Sequence, residues 1–170
     1  MKTPERFLWR TVRFRCRFAL QGNLFKHFNT RYNTGEHTNF AVWPEDARLW
    51  EKAERRNVLP TLYIDKSMAK NLAQLKRLNK YDVIDVTGQV TNTYAGLPWI
   101  LVTYVRRPPN TDDDFSDTSV IHIRQGLTLM RENKNAVAAK HFKMALEAGV
   151  PEIHEDFINK QLGSCFSSMG

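Results

Sequence analysis

The chain contains few cysteines and no long apolar run. Only Cys16 and Cys165 occur among its 170 residues, and they form neither a disulfide framework nor a zinc site, which favours a reducing compartment. No apolar stretch approaches the roughly 18 residues that a membrane-spanning helix needs. The N-terminal "MKTPERFLWR" lacks the apolar region of a secretory signal. We therefore expect a cytoplasmic location by default, an inference that weakens if the chain is a fragment.

The sequence also lacks the motifs of catalysis and of cofactor binding. It has no Walker phosphate-binding loop, no dinucleotide-binding glycine motif and no nucleophile elbow around Ser164 and Cys165. The aspartates in "NTDDDFSD" lack the glycine and glutamate of a calcium loop. We expect no catalytic residues and no cofactor.

The five histidines show no metal-ligand spacing to one another or to cysteine. They are His27, His37, His122, His141 and His154. His27 and His37 could meet across a predicted hairpin, but histidines at a surface meet in this way by chance. We therefore predict no metal site.

What the sequence does have is an uneven charge. Residues 1–110 hold 19 Lys and Arg against 9 Asp and Glu, a net charge of +10, whereas residues 111–170 hold 6 against 9, a net charge of −3. A basic piece joined to an acidic one indicates two units with different partners. Between them, "RRPPNTDDDFSD" is rich in proline and aspartate, so residues 108–117 are predicted to be a solvated linker.

The most regular stretch is "TVRFRCRFAL", residues 11–20, in which apolar residues alternate with Arg13, Arg15 and Arg17. Because side chains alternate between the faces of a strand, the pattern predicts one apolar face and one row of arginines. The arginines repeat about every 6.6–7 Å, a spacing close to that of successive phosphates in a single nucleic-acid strand. A solvated face that covers apolar surface with long stems is the alternative.

Further strands are predicted over "LFKHFNTRY" and "HTNFAVW", joined by a turn at "NTGE", and over "LPTLYIDKS". Pro44 is predicted to open a helix that ends near Asn57, and Ser67 to cap a second helix, "MAKNLAQLKRLN". The segment "DVIDVTGQVTNTYAGLPWILVTYV" is the clearest hairpin. Gly88, within an apolar strand, suits a barrel in which strands bend sharply.

This order of strands, with a helix before the last hairpin, resembles an OB-fold, a small Greek-key barrel. We predict such a barrel for residues 1–107, with an SH3-like barrel or a small open sheet as alternatives. The resemblance implies a binding face on the second and third strands and on the loops "QGN" and "NTYAGLP". The candidate residues for nucleic acid or another polyanion are Arg13, Arg15, Arg17, Lys26, Arg31 and Tyr94.

Residues 118–170 resemble the tetratricopeptide repeat (TPR), a helix-turn-helix unit of about 34 residues. The positions that match the small and large residues of repeat packing are Gly126, Leu129, Ala138, Phe142 and Ala145, followed by Gly163 and Phe166 in a second, incomplete repeat. His122 replaces the usual aromatic residue, and Pro151 lies one place later than the family's helix-ending proline. Stacked repeats bind proteins in a concave groove, so the resemblance implies a protein partner.

Together these patterns predict an α+β chain: a small OB-like β-barrel with two short helices, then an α-helical TPR-like hairpin. We expect a non-catalytic adaptor that binds proteins through its repeats. Single-stranded nucleic-acid binding by the basic, aromatic-bearing barrel is the alternative, because such binders combine cations with stacking rings.

Overall fold

The computed structural model describes residues 3–22, 30–109 and 114–169. A 3₁₀ turn at Pro4–Phe7 precedes the strands and helices β1 Thr11–Gln21, β2 His37–Pro44, α1 Lys52–Arg56, β3 Leu59–Asp65, α2 Ala69–Leu75, β4 Val83–Tyr94, β5 Leu97–Arg106, α3 Asp117–Arg131, α4 Asn135–Glu147 and α5 Glu152–Ser167. The strands form a barrel and the three longest helices follow it. The predicted α+β class is therefore confirmed.

The five strands close into a barrel in the order β1-β2-β3-β5-β4. Neighbouring strands are antiparallel except β3 and β5, which are parallel, and α2 lies in the chain between β3 and β4. This arrangement is compatible with the OB-like barrel that the sequence predicts. Membership of that family stays a prediction.

Alternation along the strands fills the barrel with apolar side chains. The buried core consists of Cys16, Phe18, Phe40, Val42, Leu62, Ile64, Leu75, Ile84, Val86, Val90, Ile100, Val102 and Val105. Within it, Gly88 of β4 lies so close to β5 that an added Cβ would be 2.6 Å from the backbone oxygen of Leu101. Burial, followed by the charges of Glu45 and Asp85, raises the pKa of the Cys16 thiol, which keeps it protonated and unreactive.

Three local predictions in the first half of the chain differ from the structure. Of the strand predicted over 24–32, residues 24–29 lie outside the described part and residues 30–32 are not in a strand; β1 pairs directly with β2. Pro44 ends β2 instead of opening a helix, and helical geometry begins only at Lys52. Ser67 does not cap α2, since its amide donates to the Asp65 carboxylate in a local turn and the helix starts at Ala69.

Contacts divide the chain into two compact units, which we call the barrel unit and the helical unit. The barrel unit comprises Met1–Glu45 and Asn57–Asn110, and the helical unit comprises Asp46–Arg56 and Thr111–Gly170. The connection between β2 and β3 thus belongs with the helices, whereas the prediction placed all of residues 1–107 in one domain. The predicted linker, residues 108–117, also differs at its end, because Phe115 is buried and α3 already begins at Asp117.

In the helical unit, α3 and α4 form a tightly packed hairpin. Ser116 caps α3: its hydroxyl accepts a hydrogen bond from the Ser119 amide at 2.9 Å, and the Ser116 amide donates to the Ser119 hydroxyl at 3.0 Å. Gly126 allows the close approach of the two helices, since a Cβ there would lie 2.7 Å from the ring of Phe142. Helix α5 packs next to α4.

Candidate interaction surfaces

The arginine row on β1 is largely engaged within the barrel. Nε of Arg15 donates to Asp85 at 3.0 Å, and Nη2 of Arg106 donates to the other oxygen of the same carboxylate at 3.1 Å. Burial opposes ionisation of Asp85, but the hydrogen bonds and charges of Arg15 and Arg106 outweigh it and lower the pKa of this carboxyl. The carboxylate therefore offsets one positive charge on this face and holds Arg15 in a fixed pair.

Arg17 corrects the prediction of one exposed row of three arginines. Its side chain is 0% exposed, and its Nε donates to the backbone oxygen of Glu45 at 2.9 Å. The alternation of the sequence places Arg17 on the outer face, but it does not show that this end of the face is covered. Arg13 and Arg15 remain exposed, so the row offers two surface arginines where three were expected.

An aromatic cluster covers the outer face of the barrel where β3 and β5 pair. Tyr32, Tyr63 and Trp99 are buried against one another, and Tyr94 packs partly buried beside them. The hydroxyl of Tyr32 donates to Asn39 at 3.2 Å, and the hydroxyls of Tyr63 and Thr91 share a hydrogen bond at 2.5 Å. Because burial raises the pKa values of both tyrosines, they stay neutral donors at physiological pH.

Tyr94, the predicted stacking candidate, packs beside this cluster. It lies at the end of β4, opposite Leu97 in the tight turn to β5. Its side chain is partly buried against the cluster, so only part of it is open to a base. The hypothesis of a stacking role at Tyr94 is untested.

Among the described residues of the barrel unit, the most exposed ring is one that sequence reasoning did not select. Trp9 is 48% exposed, and the guanidinium of Arg31 lies 4.3 Å from the centre of its ring. The Trp9 amide donates to the backbone of Val90, which fixes the ring beside β4. Trp9 and Arg31 are distant in sequence, so no local pattern indicated this pair. Lys26, the remaining predicted cation, lies outside the described residues.

In the helical unit, Trp50 is anchored among three rings, and we call this arrangement the Trp50 site. Its ring stacks on Phe157 of α5 at 5.3 Å between centroids and meets Phe115 and His154 edge-on at 6.0 and 5.1 Å. Trp50 is 3% exposed. A segment that joins two barrel strands thus supplies the buried aromatic centre of a helical unit.

Beside the Trp50 site, a cavity of about 620 Å³ opens between residues 50–53, α3 and α5. Trp50 and Phe157 form an apolar part of its lining, while Lys52, Arg124 and Arg131 bring three cations to it. Glu51 also lines it and pairs with Arg48 at 3.4 Å. The cavity therefore favours a ligand that combines an apolar group with negative charge.

The predicted repeat-packing residues separate into two groups. Gly126, Ala138, Phe142 and Ala145 are buried, and Leu129 is half-buried. In contrast, Gly163 and Phe166 lie exposed on α5, with nothing in the described structure within 4 Å of a Cβ added at Gly163. The four buried residues thus lie in the packed interior that the repeat pattern predicts, and membership of the TPR family stays a prediction.

The structure also brings together two histidines that the sequence spacing separates. Nδ1 of His122 on α3 lies 3.0 Å from Nδ1 of His141 on α4, with ring centroids 5.1 Å apart. Both side chains are partly exposed. They are 19 residues apart, so the pair follows only from the register of the two helices.

Within residues 3–22, 30–109 and 114–169, no helix is long and apolar enough to cross a membrane. The same residues contain no group of three or more His, Cys, Asp or Glu side chains placed to hold a metal ion. Neither observation identifies a function. Comparison with protein-family models and with curated proteins finds no match to this chain.

Proposed function

We propose that this protein is a non-catalytic adaptor whose helical unit binds an aromatic-anchored, acidic segment of a partner protein. The observation that carries the proposal is the Trp50 site, in which a segment from outside the helical region inserts its indole among Phe115, His154 and Phe157. Large rings in buried pockets are typical anchors of protein interfaces.

The chain's own segment fills this site imperfectly, which supports exchange with a partner. In the described part of the chain, no group accepts a hydrogen bond from the buried Nε1 of Trp50. An unsatisfied buried donor costs about 1–3 kcal/mol. A partner side chain that binds among the same three rings without an unsatisfied N–H, or with an acceptor for it, therefore avoids this free-energy cost.

The charge of the adjoining cavity supports the acidic character of the partner. Arg124 and Arg131 of α3 are exposed around it, and they stay in place when a partner displaces the segment that carries Trp50. Complementary charge accelerates association and rejects wrong partners more than it raises affinity. The chain's own segment has no net charge, because four acids are matched by four cations, so an acidic partner segment complements these arginines better: Glu45, Asp46, Glu51 and Glu54 against Arg48, Lys52, Arg55 and Arg56.

The test uses the full chain with Trp50→Ala and a fluorescently labelled peptide of residues 44–57, whose binding is followed by anisotropy. We expect the peptide to bind the variant and to bind the unaltered chain much more weakly. The reason is that a tethered segment competes at an effective concentration of about millimolar. Arg124→Gln, added to Trp50→Ala, should weaken binding and reduce its dependence on salt.

Two matched controls sharpen this experiment. A peptide carrying Trp50→Ala should not bind, and a chain carrying Trp9→Ala should behave like the unaltered chain, because that exposed tryptophan belongs to the barrel unit. Equal binding of both peptides, or no binding to the Trp50→Ala chain with its helices intact by circular dichroism, would contradict the proposal.

Single-stranded nucleic-acid binding by the barrel is a second candidate, favoured by one specific observation. The stacked pair of Trp9 and Arg31 combines an exposed ring with a cation, and Arg13 is exposed on the first strand of the same unit. Rings for bases together with cations for phosphates are the usual combination in sequence-tolerant binders of single strands.

This candidate is tested by anisotropy with a labelled single-stranded oligonucleotide and the full chain at about 50 and 200 mM salt. Binding should weaken steeply with salt. Log affinity falls linearly with log salt, and Arg31→Gln should make this fall less steep by about 0.7, the value for one lost phosphate contact on a single strand. Lys160→Gln, which removes an exposed cation from α5, is the control. No binding at the lower salt concentration would exclude this role.

A further inference from the structure

The pair of imidazoles between α3 and α4 is a cluster of ligating atoms that the adaptor proposal does not use. His122 and His141 bring their Nδ1 atoms to 3.0 Å from different helices. A hydrogen bond at this distance requires one Nδ1 to carry a proton and the other to present its lone pair. The pair therefore already directs a ring nitrogen of each histidine at the other.

The separation of these nitrogens matches the bite of a metal chelate. Nitrogen ligands bind zinc at about 2.0–2.1 Å. Two such ligands on one ion therefore lie about 2.9–3.4 Å apart for angles between square and tetrahedral. The observed 3.0 Å falls within that range. Both side chains are partly exposed, so their rings have room to turn from the hydrogen bond and to place both lone pairs on one ion.

We propose that His122 and His141 bind one divalent late-transition-metal ion through their Nδ1 atoms and so clip α3 to α4. The ion takes the place of the shared proton, which moves to Nε2 of the same ring, so that both imidazoles stay neutral. Water completes the coordination, since the described residues supply no third His, Cys, Asp or Glu ligand. Imidazole ligands select copper, nickel and zinc over magnesium or calcium.

The surroundings of the pair set the expected affinity. His141 lines a cavity of about 390 Å³ together with Arg124, Gln125, Thr128 and Leu129, which leaves room for bound water. The guanidinium of Arg124 opposes a divalent ion and lowers the affinity. The order of affinities should be Cu²⁺ above both Zn²⁺ and Ni²⁺, as for nitrogen sites in general.

The test is calorimetric titration of the full, tag-free chain with Cu²⁺ and with Zn²⁺. The expected result is one ion per chain, tighter for Cu²⁺, and a thermal midpoint that rises with metal concentration because the ion binds the folded state. Loss of a residue that merely orients a ligand reduces metal affinity roughly 10–100-fold, so His122→Gln and His141→Gln should each lose at least that much.

His37→Gln is the matched control, because it removes a histidine of the barrel unit and leaves the pair intact. Electron paramagnetic resonance of the Cu²⁺-loaded chain provides a readout that does not depend on any variant, and it should show two imidazole nitrogens on the ion. Binding that persists in both Gln variants, a single coordinated imidazole, or no binding would overturn the proposal and leave the pair as a hydrogen bond between helices.

Discussion

The barrel unit and the helical unit differ in which parts of the chain contact the side chains of their candidate interaction surfaces. In the barrel, neighbouring strands supply the partners: Asp85 of β4 binds Arg15 of β1 and Arg106 of β5. In the helical unit, the partner of the aromatic site is Trp50, which comes from far away in the sequence. The barrel arginines are held by side chains of paired strands, whereas the helices hold a segment from between two strands, and our proposal is that a partner replaces this segment.

The two units also differ in how their interiors tolerate change. Strand pairing fixes the backbone of the barrel from both sides, so a misfit there meets main-chain atoms. In the helix hairpin the closest neighbour of Gly126 is a side chain, the ring of Phe142. This contrast leads to four predictions, ordered from the largest expected effect to the smallest.

Phe142→Ala should have the largest effect, because the ring is completely buried between α3 and α4. We expect the free energy of unfolding of the helical unit to fall by about 3–5 kcal/mol. Urea denaturation followed by circular dichroism measures it. Phe166→Ala, which removes a ring that is 48% exposed on α5, is the control and should change stability by less than about 0.5 kcal/mol. A loss below about 1 kcal/mol for Phe142→Ala would contradict the hairpin packing and the repeat resemblance with it.

Arg17→Gln and Arg13→Gln compare two members of the same arginine row. Arg17 is buried and hydrogen-bonded to the Glu45 carbonyl, so its replacement should lower the free energy of unfolding by roughly 1.5–3 kcal/mol. Arg13 is exposed, and its replacement should change it by less than about 0.5 kcal/mol. Thermal or urea unfolding of the two variants distinguishes them, and equal effects would mean that burial does not separate the two arginines.

Gly88→Ala and Gly126→Ala place the same methyl group in the two units. At Gly88 the new Cβ meets the Leu101 backbone oxygen at 2.6 Å, so we expect a loss of about 1–3 kcal/mol. At Gly126 it meets the buried Phe142 ring at 2.7 Å, which is also destabilising, but alanine favours a helix over glycine by about 1 kcal/mol and offsets part of the loss. Denaturant midpoints should therefore fall further for Gly88→Ala, and a larger fall for Gly126→Ala would contradict this contrast between the two units.

Asp85→Asn should have the smallest effect, and the effect should depend on pH. The folded chain lowers the pKa of Asp85, so this carboxylate stabilises the fold above its unfolded pKa of about 3.9, and the gain disappears as pH falls through the folded value. Because Arg15 and Arg106 are about half exposed, we expect at most about 1 kcal/mol at neutral pH. The difference in stability between the unaltered chain and the variant should narrow below about pH 4.

Urea titrations at neutral and acid pH measure this difference. Asp156→Asn, on the exposed side of α5, serves as the control and should give no comparable narrowing. A gap for Asp85→Asn that stays constant down to about pH 2 would show that the arginine pairs do not act through the charge of this carboxylate.

The sequence was sufficient to predict those elements that follow from local periodicity. The alternation in β1, the hairpin of β4 and β5, and the helical spacing of α3 and α4 each appear within a short window. The helix expected from Pro44 was wrong because its acids and arginines match the charge order of a helix, while the apolar residues Leu49 and Trp50 serve a tertiary contact before α1 begins. Tertiary packing overrides such weak preferences.

The candidate sites were less predictable, because they depend on which residues meet across long distances. Arg17 and Arg13 occupy equivalent places in the alternation, and only the fold shows that one is buried. The His122–His141 pair and the Trp9–Arg31 pair join residues that no local spacing relates. The sequence shows which residue types are present. Which of them meet across two strands or two helices depends on the register of those elements, and the sequence does not give that register.

The position of Trp50 in the sequence determines how long this residue stays uncovered while the chain is synthesised. Residues 46–56 leave the ribosome about sixty residues before α3, and synthesis proceeds at roughly 5–20 residues per second. For several seconds Trp50 therefore has none of the later rings to cover it, although it is buried in the finished protein. The indole of Trp50 is thus accessible to other molecules during synthesis and is covered afterwards.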